Sequence, residues 1–165
     1  MGDASTPSFV ELERVHEAIM EELQLHQDAL VVSDLPAARR HLDRLVLMLK
    51  AHIRAEDEVL LPIFAERVEP QVGCTPELLF NEHRKLERLL KKTQERMLVF
   101  EAAGEIRPRE RVYMIEEERM LKEVLDHHDR RERAAFFPNL DQCIQGEERQ
   151  RVWEQCRLIQ GSYID

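Results

Sequence analysis

Two stretches of this chain share one spacing. His52-Ile53-Arg54-Ala55-Glu56 runs on to Pro62, and His128-Asp129-Arg130-Arg131-Glu132 runs on to Pro138, so the pattern HxxxExxxxxP occurs twice. On a helix, residues four apart leave the same face one turn apart. Each pair therefore presents an imidazole and a carboxylate side by side, able to reach one metal cluster. Two further histidines, His16 and His83, stand on the segments that precede the two copies. Imidazole with carboxylate is a donor set that suits iron or manganese, whereas zinc prefers four-coordination. Burying four imidazoles and two carboxylates with no cation costs several kcal/mol. The pattern points to a metal centre built from His16, His52, Glu56, His83, His128 and Glu132.

The elements that must position these residues are helices. Thr6-Pro7, Ser33-Asp34-Leu35-Pro36 and Thr75-Pro76 each pair a capping side chain with a proline in the first turn. Gly73 and Gly104 stand where helices should stop, and Pro108 opens the next. The segments predicted are 7–32, 35–68, 76–103 and 108–137, with a shorter fifth at 147–160 that carries Trp153. Apolar residues recur at helical spacing: Phe9, Leu12, Ile19, Leu23 and Leu30; Ala38, Leu45, Met48, Val59 and Ile63; Leu79, Leu86, Leu90 and Met97; Met114, Leu121, Val124 and Ala135. One histidine of the six-residue set falls on each stripe. Short links between such helices give antiparallel neighbours, so the expected fold is all-α, an up-down-up-down four-helix bundle with a short extra C-terminal helix. The expected organisation is a flexible N-terminus over 1–7, the bundle over 8–140, and a C-terminal helix and tail over 141–165.

With those residues in place, the sequence resembles the hemerythrin-like, or HHE cation-binding, domain family. The resemblance covers about residues 8–140 and is carried by His16, by AHIRAEDEVLLPIF around His52 and Glu56, by NEHRKLE around His83, and by DHHDRRERAAFFP around His128 and Glu132. It implies a non-haem di-iron centre, with manganese as the alternative metal, in which Glu56 and Glu132 bridge the two ions beside an oxo or hydroxo group. Oxygen-carrying hemerythrins use a fifth histidine four residues before the third-helix one; here that position is Leu79. The four-histidine, two-glutamate set is similar to that of the iron-sulfur repair di-iron proteins, whose additional cysteine-bearing N-terminal domain these 165 residues do not include.

Open coordination positions imply a protein that binds or reduces a small diatomic or peroxide ligand, O2, NO or H2O2, in oxidative or nitrosative stress defence. Reversible oxygen carriage is not the expected main activity. The other reading is an iron- or redox-responsive module that reports cluster occupancy to a partner. Lys+Arg number 24 against 33 Asp+Glu, a net charge of -9, which argues against a nucleic-acid partner. The longest apolar run, Leu45 to Leu49, is far too short to span a bilayer, and no secretory leader is evident, so no membrane partner and a cytoplasmic location are expected. Three scattered cysteines form no CxxC. The C-terminal helix is the expected place for a homodimer or redox-partner contact.

Three finer expectations concern the remaining polar residues. Glu87, four after His83, reads either as a solvated residue at the stripe edge or as a further ligand. His26 and His127 read as surface or flank residues. Stepping eleven residues from each ligand histidine toward one end reaches Gln27, His41, Gln94 and Glu117, which predicts a second polar layer in which His41 meets Glu117 directly or through Gln27 and Gln94; the alternative is that splay of the bundle lets two or more of them reach water at its open end.

Overall fold

The computed structural model describes residues 7–161, and among them the chain is all-α with no strand. A 3-10 turn at Phe9–Glu13 leads into α1 (Arg14–Val31). Next comes α2 (Leu35–Ala55), which passes through a π turn at Glu56–Leu60 directly into α3 (Leu61–Arg67). α4 (Pro76–Ala103) and α5 (Pro108–Arg131) follow. α5 passes through a second π turn at Glu132–Phe136 into α6 (Phe137–Cys143), and α7 (Gly146–Gln160) ends the described chain.

The caps work as the sequence predicts at two of three starts. Asp34 accepts from the Ala37 N–H and Thr75 from the Leu78 N–H, each with a proline in the first turn. At the first start, the side chain that accepts is Ser8, from the Val10 N–H; Thr6 lies outside the described residues. α4 stops at Gly104, whose φ of 72° is the left-handed conformation that glycine adopts without steric cost.

Pro138 does not end the fourth long helix. Both prolines of the repeated pattern sit in the first turn of the helix beyond a π turn. A proline cannot donate the i→i−4 hydrogen bond, and its ring crowds the carbonyl four residues back. One wider turn relieves that clash: the Leu61 N–H bonds to the Glu56 carbonyl, and the Phe137 N–H to the Glu132 carbonyl. The extra residue in that turn shifts the buried face by one position. Val59, Ile63 and Ala135 are therefore only partly buried, and Leu60, Phe64 and Phe136 take the core positions instead.

α1 packs along α2 and α5, and α4 packs along α5 and α2, so these four close a ring of neighbours. α7 lies against α2 and the first π turn. The core falls into two apolar clusters. One gathers Ile19, Leu49, Leu86 and Leu125; the other gathers Leu12, Ala55, Leu79 and Phe136. The border between the clusters falls at His83 on α4 and at His128 on α5, and within two residues of His16 on α1 and His52 on α2. No helix among the described residues is long and apolar enough to cross a membrane.

Candidate metal centre

The six sequence-predicted residues converge in the layer between the two clusters, none more than 9% exposed. They form two overlapping groups, each able to hold a metal ion: His16, His52, His128 and Glu132, and Glu56, His83, His128 and Glu132. The histidines pair through their Nε2 atoms, His16 with His52 at 2.7 Å and His83 with His128 at 3.3 Å. Each glutamate divides its two oxygens between the pairs. Glu56 puts Oε1 3.3 Å from His52 and Oε2 3.1 Å from His83. Glu132 puts Oε2 3.1 Å from His16 and Oε1 2.7 Å from His128.

The π turns explain why glutamates can do this. Glu56 and Glu132 each open a π turn, where the helix widens as it crosses the layer. π turns of this kind recur at functional sites because they redirect a side chain while keeping the helix axis.

Behind the Nε2 face, every Nδ1 has a partner. Asp129 lies 2.6 Å from His16 Nδ1, Asp57 lies 2.5 Å from His83 Nδ1, and Glu82 lies 3.1 Å from His128 Nδ1. The fourth partner is Gln160, the last residue of α7, whose amide is 3.2 Å from His52 Nδ1. Each of the three carboxylates is held in turn by an arginine: Asp129 by Arg133, Asp57 by Arg84, and Glu82 by Arg131. An acceptor on Nδ1–H fixes the tautomer that leaves Nε2 free to bind a metal and raises its basicity.

Electrostatics favour a cation at the centre. Burial works against charge on the imidazoles, but the hydrogen bond to Asp129 and the facing carboxylate of Glu132 push His16 up to about 10. Asp57 and Glu56 do the same for His83, also to about 10, and Glu132 and Glu82 lift His128 to about 9. His52 goes the other way, driven well down by burial and the neighbouring His16. Burial and the adjacent Glu132 raise Glu56 to about 8, while His128 and His16 outweigh burial and hold Glu132 down. Glu56 Oε1 and both oxygens of Glu132 are buried with no hydrogen-bond partner. Orphaned carboxylate oxygens facing imidazole nitrogens fit a metal ion, because a cation satisfies all of them at once.

Asp57, Glu82 and Asp129 adjoin a ligand in sequence: Asp57 follows Glu56, Glu82 precedes His83, and Asp129 follows His128. One residue is 100° of helix, enough to aim such a side chain at the neighbouring helix, so adjacency to a ligand is the sequence signal for these three. Nothing in the sequence links Gln160 to the site. Glu87 stays out of it and pairs with Arg84 at 3.2 Å, partly in solvent. A cavity of about 270 Å³ opens to solvent beside His16, between α1 and α5, with Met20, Leu125, Asp126 and Asp129 in its walls.

The expected layer of Gln27, His41, Gln94 and Glu117 does not form; a different buried network does, and of those four only Gln27 joins it. His26, expected on the surface, is fully buried; its Nδ1 lies 2.8 Å from the Ala38 carbonyl and its Nε2 2.9 Å from Glu118. Gln27 donates to the other oxygen of Glu118 at 3.0 Å. His41 instead meets Glu22 at the flank, 2.8 Å away, beside Arg44. Glu117 points outward to Arg96 and Lys92, and Gln94 is half-buried. The reason is the width of the buried face: α1 touches both α2 and α5, so Glu22, His26 and Ala29 are buried beside the central stripe of His16, Leu23 and Leu30. His127 is exposed, as its angle predicts.

No family model, no curated protein and no solved structure matches this chain.

Proposed function

We propose that this chain is a hemerythrin-like non-haem di-iron protein, a four-helix bundle over residues 8–140 with a C-terminal helix and tail over 141–165. It binds or reduces O2, NO or H2O2, in the cytoplasm, as part of oxidative or nitrosative stress defence. The observation that carries this reading is the division of each glutamate between two histidine pairs, with Oε1 and Oε2 of Glu56 near His52 and His83 and those of Glu132 near His128 and His16. Carboxylates placed that way would each offer one oxygen to an ion at either histidine pair.

In this reading His16 and His52 hold one ion, His83 and His128 hold the other, and Glu56 and Glu132 join them. Bound iron supplies the redox change and the open coordination positions that small oxidants need. The chain does the rest. Asp129, Asp57, Glu82 and Gln160 orient the imidazoles through Nδ1. Leu12, Leu79 and Phe136 on one side and Ile19, Leu49 and Leu86 on the other exclude bulk water. The cavity beside His16 gives a small molecule a way in.

Metal analysis with an optical spectrum, followed by O2, peroxide and NO in turn, tests the proposal. Two irons per chain and a spectrum that changes with at least one of the three support it; protein that takes up no iron overturns it. A second reading draws on Gln160, which ties the surface helix α7 to His52 and gives a partner a route to sense occupancy. Turnover of peroxide or NO favours the first reading, and its absence in iron-loaded protein the second.

A further inference from the structure

The site is built twice, but its outer supports are not. Both histidines of the His83/His128 pair have a carboxylate on Nδ1, Asp57 for one and Glu82 for the other. In the His16/His52 pair only His16 does, through Asp129, while His52 meets the neutral amide of Gln160. For His52 to bind a metal through Nε2, its Nδ1 must carry the proton, so Gln160 has to accept. Gln160 Oε1 is the atom able to accept, and it is buried without a partner; turning the amide end for end satisfies both groups. An amide oxygen carries only a partial charge. It raises the basicity of its imidazole less than a carboxylate does, and changing such a partner alters metal affinity by roughly 10–100-fold.

Access differs in the same sense. His16 is 9% exposed and lines the cavity between α1 and α5, whereas His83 is fully buried and His128 is 1% exposed. Asp129, its carboxylate partner, stands in the wall of that cavity.

We propose that the two metal positions are unequal: the His83/His128 position keeps its ion, and the His16/His52 position exchanges a divalent cation with solvent, with Gln160 as the positioning residue that sets the difference. This inference rests on the two-metal reading above. The ion enters and leaves past His16, and α7 controls its retention through one side chain.

The test loads the full chain with Co(II) and follows its removal by a chelator through the cobalt absorption bands. Wild type should lose its cobalt in two phases of equal amplitude, with rates about tenfold or more apart. Gln160→Leu should speed the fast phase alone by about tenfold, and Asp57→Asn should speed the slow phase alone. Gln160→Glu supplies the missing carboxylate and should slow the fast phase toward the other, a rescue that a merely structural contact of α7 would not produce. A single phase in wild type with two cobalt ions bound overturns the inference and leaves the di-metal reading standing. Equal acceleration of both phases by Gln160→Leu, in protein that keeps its helical circular dichroism, also overturns it. Fewer than two cobalt ions in wild type overturns both.

Discussion

This molecule buries histidine with glutamate in two places, and the two places differ in what they leave unsatisfied. Around His26 every buried polar atom has a partner. Nδ1 reaches the Ala38 carbonyl, Nε2 reaches Glu118, and Gln27 takes the second Glu118 oxygen. In the layer of His16, His52, His83 and His128, three oxygens of Glu56 and Glu132 have none. A satisfied buried network fixes how helices pack; an unsatisfied one holds donors in position for something else. Burial of the residue types alone does not separate the two. The count of unpaired atoms does.

That contrast breaks most sharply on removing a bridging glutamate. Glu132→Ala takes an oxygen from both histidine pairs, so metal content should fall from two ions per chain to below one, with a parallel drop in thermal stability. Elemental analysis and a melting curve check this; unchanged iron in the variant removes Glu132 from the site. His26→Leu should do the reverse. It leaves the buried Glu118 carboxyl without its imidazole, which costs about 3 kcal/mol of stability in denaturant unfolding, while metal stoichiometry stays intact. A loss of metal there would make the His26 network part of the centre.

Acidity sharpens the comparison further. His16, His83 and His128 hold their protons up to about 10, 10 and 9 because carboxylates face them. A metal takes only the unprotonated nitrogen, so binding must release those protons. With pKa values raised, the competition is strongest at low pH, and affinity should fall as pH drops from 8 to 6, by roughly tenfold per pH unit for each proton displaced. Co(II) titrations at three pH values measure the slope, and a flat profile contradicts the assignment. The smallest effect belongs to His41→Leu. Its partner Glu22 keeps Arg44 at 2.9 Å, and His41 is itself partly exposed, so unfolding should shift by less than about 1 kcal/mol with metal binding unaltered.

The period of the apolar residues and the repeated HxxxExxxxxP pattern by themselves determine that the chain is helical, where most helices begin and end, and which six side chains lie in one layer. These are local facts: 3.6 residues per turn, a cap, a proline in the first turn. What the prolines do to the turn before them is not a matter of spacing. Pro62 and Pro138 each force a π turn, and the extra residue moves burial from Val59 to Leu60 and from Ala135 to Phe136. A count of 100° per residue has no place for that step. The fate of His26 and His41, one residue or one face from where the angles put them, was decided by which two helices α1 touches, a relation between segments distant in the chain. Gln160 is the extreme case: 108 residues separate it from His52, and only the docking of α7 on α2 brings its amide to the imidazole. Spacing along a helix names the side chains that share a face. Which groups satisfy them from behind depends on the packing of other helices against that face, and that is settled only when the whole core closes.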